Sequence, residues 1–209
     1  MAQGKENRIQ WIYSSRDSQE LLERYDQWAE DYDVDVMQTE EYKGTEVAAG
    51  FFTKCVPRNA RVLDAGAGTG LMGEALTRLG YSDIVAIDLS QGMLDIAARK
   101  KAYKELYQMA LGERLDFETD SFDAVVSTGV FTAAHAPASS FHELVRVTRR
   151  GGHIVFTLSD EAYEGSGFKE TLDALESDGK WELLEKSESQ KLTKDSTFEH
   201  KVWTYQVAS

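Results

Sequence analysis

Val62-Leu63-Asp64-Ala65-Gly66-Ala67-Gly68-Thr69-Gly70, VLDAGAGTG in one-letter code, is the stretch on which the fold turns. Ala60–Asp64 reads as a short buried strand, Gly70–Leu79 as a helix, and Gly80 as its stop. The glycines at 66, 68 and 70 stand where the strand gives way to the helix. Glycine there lets backbone pass close to a ligand without a Cβ clash. The helix start beyond offers free N–H groups to an anion.

Outward from this loop the pattern alternates. Asp83–Asp88 (DIVAID) is the next strand, and Ser90 caps a helix running to about Lys100. Leu106–Leu111 reads as a third strand and Phe122–Thr128 (FDAVVST) as a β-branched fourth. Ser139–Thr148 is amphipathic, and Gly151-Gly152 turns into the strand His153–Leu158. A helix near Gly167–Ser177 stops around Gly179, and two last strands lie near Trp181–Ser187 and Phe198–Val207. Alternating strands and helices imply a parallel sheet covered on both faces. Two successive strands at the end imply an antiparallel edge. The expected fold is α/β, a doubly wound Rossmann-like sheet, mostly parallel with an antiparallel C-terminal strand.

Upstream, Ser18 is the expected N-cap of a helix carrying Leu21, Leu22, Tyr25, Trp28, Ala29 and Tyr32 at helical spacing. A second helix covers Glu40–Lys54 and ends before Pro57. Residues 1–17 read as a flexible N-terminus, 18–56 as a helical cap and 57–209 as the core of one domain.

Composition narrows the function. The chain has 209 residues, with 23 Lys and Arg against 36 Asp and Glu, a formal charge of −13. Such a field repels phosphate backbones and anionic membranes, so nucleic acid is an unexpected partner. The densest basic run, Arg99–Lys101 with Lys104, reads as a solvated helix end. One cysteine, Cys55, excludes an intrachain disulfide and reads as a packing residue. No run of apolar residues suits a membrane span or a signal peptide, so a soluble cytoplasmic protein is expected. His142, His153 and His200 lack metal-ligand spacing, and no metal is expected.

The loop chemistry points to an adenosine-type cofactor. Asp88 falls eighteen residues after Gly70, at the end of the next strand, where a carboxylate accepts both ribose hydroxyls. A dinucleotide fingerprint would place a glycine at position 71, but Leu71 stands there. Asp64, two residues before the first glycine, suits a cationic ligand better than a pyrophosphate. S-adenosylmethionine (SAM), with its ammonium and sulfonium, meets both conditions.

VLDAGAGTG, then AIDLSQGML (Ala86–Leu94), SFDAVVSTG (Ser121–Gly129) and RRGGHIVFT (Arg149–Thr157), resemble in order the Rossmann-like (class I) SAM-dependent methyltransferases. Tyr25–Val36 and Phe168–Glu185 further resemble the Williams–Beuren syndrome region methyltransferase-like proteins. The resemblance implies that Asp64, Gly66, Ala67 and Gly68 line the methionine moiety and that Asp88 holds the ribose. Leu89 and Met93 would sandwich the adenine, or else be plain core. Many relatives carry an Asp after the third strand; here Met109-Ala110-Leu111-Gly112 stands in its place, leaving the adenine edge to Ala110 and Leu111. Thr128 and Gly129 would lie beside the reactive methyl, with S-adenosylhomocysteine as the product.

Methyl transfer from a sulfonium is an in-line displacement that needs positioning and exclusion of water, with no obligatory base. Ser127-Thr128-Gly129-Val130 replaces the Asn-Pro-Pro-aromatic motif, which argues against exocyclic amines of bases or glutamine as acceptors. Tyr25, Trp28 and Tyr32 share one helix face. That face either packs on the sheet edge or forms an aromatic lid against the cofactor. His135, in the loop after the fourth strand, and Tyr32 are the catalytic candidates, with His135 as the possible proton acceptor. The expected activity is methyl transfer to a small-molecule or protein acceptor. The alternative is a SAM-binding regulator without turnover.

Overall fold

A computed structural model describes residues 8–39, 42–132, 135–192 and 199–209. The chain begins with α1 (Arg8–Tyr13) and α2 (Ser18–Val34), which passes into a π-helical turn (Asp35–Thr39), and then α3 (Gly44–Cys55). The core follows as β1 (Arg61–Ala65), α4 (Leu71–Arg78), β2 (Asp83–Asp88), α5 (Gln91–Lys100), β3 (Glu105–Gln108) and β4 (Phe122–Phe131). It continues with α6 (Ser140–Val147), β5 (Thr148–Ser159), α7 (Asp160–Gly165), α8 (Phe168–Ser177), β6 (Trp181–Lys186) and β7 (His200–Val207).

The seven strands form one sheet in the order β3-β2-β1-β4-β5-β7-β6. β1 pairs in parallel with β2 (Leu63 opposite Val85) and with β4 (Leu63 opposite Val125). β7 runs antiparallel to both β5 and β6. The central strands are apolar almost throughout because helices cover both faces. On one face Phe131, Phe141, Phe156, Trp181 and Tyr205 pack together, with Trp181 and Tyr205 stacked at 4.1 Å. On the other, Phe52, Met72, Leu76 and Tyr81 pack against Val62, Val126 and Val202. Each such fully buried side chain contributes roughly 1.5–3 kcal/mol.

Several local expectations shift. Asp17, not Ser18, caps α2: its carboxylate accepts the Glu20 N–H at 2.9 Å. Within the segment expected to be flexible, α1 forms and buries Ile12 against α2. The helix expected from Glu40 starts at Gly44, and Glu40 and Glu41 lie outside the described residues, as does Phe198. The third strand is shorter than expected, because beyond Gln108 only Met109 stays tied to β2, through its N–H on the Asp88 carbonyl at 3.0 Å. Ser90 caps α5 as expected, accepting the Met93 N–H at 3.0 Å. Among the described residues, no helix is long and apolar enough to cross a membrane.

Candidate functional site

The strand order reverses between β1 and β4, and the glycine loop leaves β1 at that switch point, where open α/β sheets bind ligands. Gly66, Gly68 and Gly70 have φ of +80°, +54° and +88°, a region that L side chains enter only with strain. The N–H groups of Gly66 and Ala67 both donate to the Ile87 carbonyl, at 2.8 and 3.0 Å, and anchor the loop on β2. A Cβ on Gly66 would lie 2.3 Å from Cγ2 of Val130, so the end of β4 closes on this glycine. At Gly68 nothing lies within 4 Å of the Cβ position, which leaves an open side to the loop.

Two carboxylates flank the loop. Asp88 accepts the Gly68 N–H at 2.7 Å and the Ser90 N–H at 2.9 Å. Loss of solvent pushes its pKa above the ordinary carboxylate value, against the pull of these backbone donors. Asp64 is fully buried at the end of β1. Its Oδ2 accepts the Tyr103 hydroxyl at 2.6 Å, and its buried Oδ1 has no partner. Burial drives its pKa up to about 7; the Tyr103 hydrogen bond opposes this, and the Asp88 charge adds to it. An unpartnered buried carboxylate oxygen near a second, half-buried carboxylate is a place short of positive charge. The ammonium and sulfonium of SAM supply that charge, so the residues present fit this ligand.

The cap sits on the loop through one face of α2. Asp26 accepts the Ser90 hydroxyl and the Gly92 N–H, the latter at 2.9 Å. Glu30 forms two bonds to Arg99, at 2.8 and 3.0 Å. Asp33 accepts the Thr69 hydroxyl within the loop and pairs with Lys100 at 2.6 Å. Of the basic run read as a solvated helix end, Arg99, Lys101 and Lys104 are exposed, but Lys100 lies against the cap with its side chain only 13% exposed. An acidic helix placed opposite explains the difference; sequence spacing carried no sign of it.

Above the loop, Tyr25, Trp28, Tyr32 and Leu89 join one cluster with buried Leu21 and Val36. Trp28 and Tyr32 meet edge-on at 4.7 Å, and Trp28 Nε1 donates to Asp35 at 2.9 Å. The Tyr25 hydroxyl bonds Nε2 of His135 at 2.8 Å, and Thr132 bonds Nδ1. This joins the cap to the loop after β4. Burial lowers the His135 pKa to about 4, so the ring is neutral near pH 7.

A methyltransferase-domain family model matches residues 63–156. Methyltransferase-like protein 27 of Homo sapiens is 33% identical over 184 residues, which cover 85% of this chain and 74% of that protein. The chain belongs to the class I SAM-dependent methyltransferases. A demethylmenaquinone methyltransferase of Clavibacter sepedonicus is 37% identical over 97 residues, 46% of this chain and 39% of that protein. The chain thus spans well under half of that second relative. A solved TehB-like SAM-dependent methyltransferase from Corynebacterium glutamicum shares the fold at a TM-score of 0.66 and 22% identity, over 90% of this chain and 99% of that one.

In this methyltransferase the remaining expected site residues fall as follows. Met93 is buried on α5, and Ala110 and Leu111 are half-buried just beyond β3. Thr128 is half-buried and Gly129 exposed near the end of β4, where the Gly129 N–H donates to the Thr157 hydroxyl at 2.8 Å. Asp26, Asp33, Tyr103, Val130 and Thr157 escaped the sequence reading. Two signals could have found some of them: Gly73 and Gly92 sit inside helices, where glycine costs about 1 kcal/mol without a packing reason. The reason at Gly73 is Tyr103, and at Gly92 it is Asp26, whose Cα lies 3.0 Å from the Cβ position.

The buried carboxyl makes a stability prediction for the ligand-free methyltransferase. Asp64 holds its proton up to about pH 7 when folded and releases it near 3.8 when unfolded. The folded chain therefore binds more protons across that window, and stability falls as pH rises from about 4 to 7. Asp64→Asn is expected to flatten this slope and to raise Tm by several degrees at pH 8. Thermal unfolding from pH 5 to 8 checks it, and an unchanged slope would refute it.

Proposed function

We propose that this methyltransferase binds SAM on the glycine loop and passes its methyl to a small-molecule or protein acceptor held between the end of β4 and the cap. The carrying observation is the pair of carboxylates, Asp64 and Asp88, around a positive-φ glycine loop at the switch point, with Asp64 Oδ1 unpartnered. Bound there, SAM supplies an activated methyl. Asp64, Gly66, Ala67 and Gly68 hold the methionine portion, and Asp88 receives the ribose hydroxyls. Leu89 and Met93 flank the adenine, with Ala110 and Leu111 at its edge. Thr128 and Gly129 border the methyl.

The chain's own contribution is orientation and dryness. The aromatic cluster of Tyr25, Trp28 and Tyr32 covers the loop and keeps water out. Neutral His135, both of whose ring nitrogens are engaged by Tyr25 and Thr132, takes a proton from a hydroxyl or amine acceptor through one of those two hydroxyls. Its low pKa makes it a weak base, which suits an acceptor that is already nucleophilic. Tyr32 shapes the same wall.

Incubating the protein with SAM and a panel of small hydroxylated, amine and protein acceptors, and following S-adenosylhomocysteine, tests the proposal. Turnover with one acceptor class is expected. Tight SAM binding with no product from any acceptor would overturn the transfer step.

A further inference from the structure

Gly70 is the N-cap residue of α4 and has no side chain to offer. The first N–H groups of this helix therefore need another acceptor. Tyr103, from the loop before β3, provides one: its hydroxyl oxygen accepts the Gly73 N–H at 3.1 Å. The same hydroxyl donates its proton to Asp64 Oδ2 at 2.6 Å. The ring needs room to get there. A Cβ on Gly73 would lie 2.3 Å from its Cζ, and one on Gly70 would lie 3.0 Å from Cε2. A glycine inside a helix and a glycine at its cap thus both make way for one tyrosine. The result leaves Asp64 with one oxygen occupied and the other, buried, without a partner.

We propose that Tyr103 is a positioning residue of the cofactor site: it caps α4 and fixes Asp64 so that Oδ1 is the oxygen offered to the ammonium of SAM. The inference rests on the SAM reading above and goes beyond it by naming the residue that orients the carboxylate. The groups facing Asp64 are the Tyr103 hydroxyl and, across β1–β2, the Asp88 carboxylate; both bear on its charge. Removing the Tyr103 hydroxyl withdraws the hydrogen bond that favours the ionised form.

Affinities for two ligands across pH 5.5–9 provide the test. One is SAM. The other is methylthioadenosine, which keeps the adenosine and thioether but has no amino-acid portion. In the native protein, SAM affinity is expected to rise with pH around a midpoint near 7, where Asp64 ionises, and to fall again above about pH 8, where the SAM ammonium gives up its proton. Tyr103→Phe is expected to move that midpoint up by about one unit and to weaken SAM about tenfold at pH 7, leaving methylthioadenosine unchanged. Should Tyr103→Phe fail to fold, Gly73→Ala, which displaces the ring, is read the same way. An unmoved midpoint, or equal weakening of both ligands, would overturn the role of Tyr103 and leave the SAM reading standing. Failure of the native protein to bind SAM at any pH would overturn that reading, and this inference with it.

Discussion

Gly66→Ala is expected to abolish measurable SAM binding and to lower Tm by roughly 5–15 °C. Two independent costs act at this position. Its φ of +80° strains any L side chain, by about 1–2 kcal/mol. The new methyl also meets Val130 at 2.3 Å, and overpacking of this kind costs about 1–3 kcal/mol. Relief of either cost moves the loop, whose position is set by the N–H groups of Gly66 and Ala67 on the Ile87 carbonyl. Adding Val130→Ala separates the two. The double variant is expected to recover most of the overpacking part of the stability and none of the φ strain. Calorimetry with SAM and thermal unfolding read both; a Gly66→Ala protein that binds SAM as the native chain does would show that the loop is not the cofactor seat.

Asp88→Ala is expected to weaken SAM at least about a hundredfold. Each charge-assisted hydrogen bond to a ribose hydroxyl contributes roughly 1.5–3 kcal/mol, and two are lost. The substitution also strips the Gly68 and Ser90 N–H groups of their acceptor, so the loop loses its tie to the start of α5 even without ligand. Asp88→Asn keeps an oxygen for one of these donors and removes the charge. It is expected to bind between the native and alanine proteins. Unchanged affinity in a folded Asp88→Ala protein would remove Asp88 from the ribose.

Much of this was legible because the relevant physics is local. Three glycines at a strand-to-helix junction, an acid before them and another at the next strand end are all spelled within 27 residues, Val62–Asp88. Alternating apolar strands and amphipathic helices carried the sheet, down to the antiparallel β7. What stayed hidden is tertiary. Tyr103 lies 39 residues from Asp64, and Asp26 lies 64 residues from Ser90. No periodicity reports such meetings, and a half-buried tyrosine looks like core until its hydroxyl finds a carboxylate. Lys100 was misplaced for the same reason: one helix shows its own charges and not those of the helix that lies on it.

Thr69 and Ser90 have a double allegiance. Thr69 belongs to the glycine loop and gives its hydroxyl to Asp33 of the cap. Ser90 follows the Asp88–Leu89 pair, caps α5 and gives its hydroxyl to Asp26. Where cap docking and ligand binding draw on these same two residues, thermodynamic linkage makes any coupling between them reciprocal. Whatever free energy a docked cap lends to a ligand in the loop, the ligand returns in equal measure to the docking of the cap.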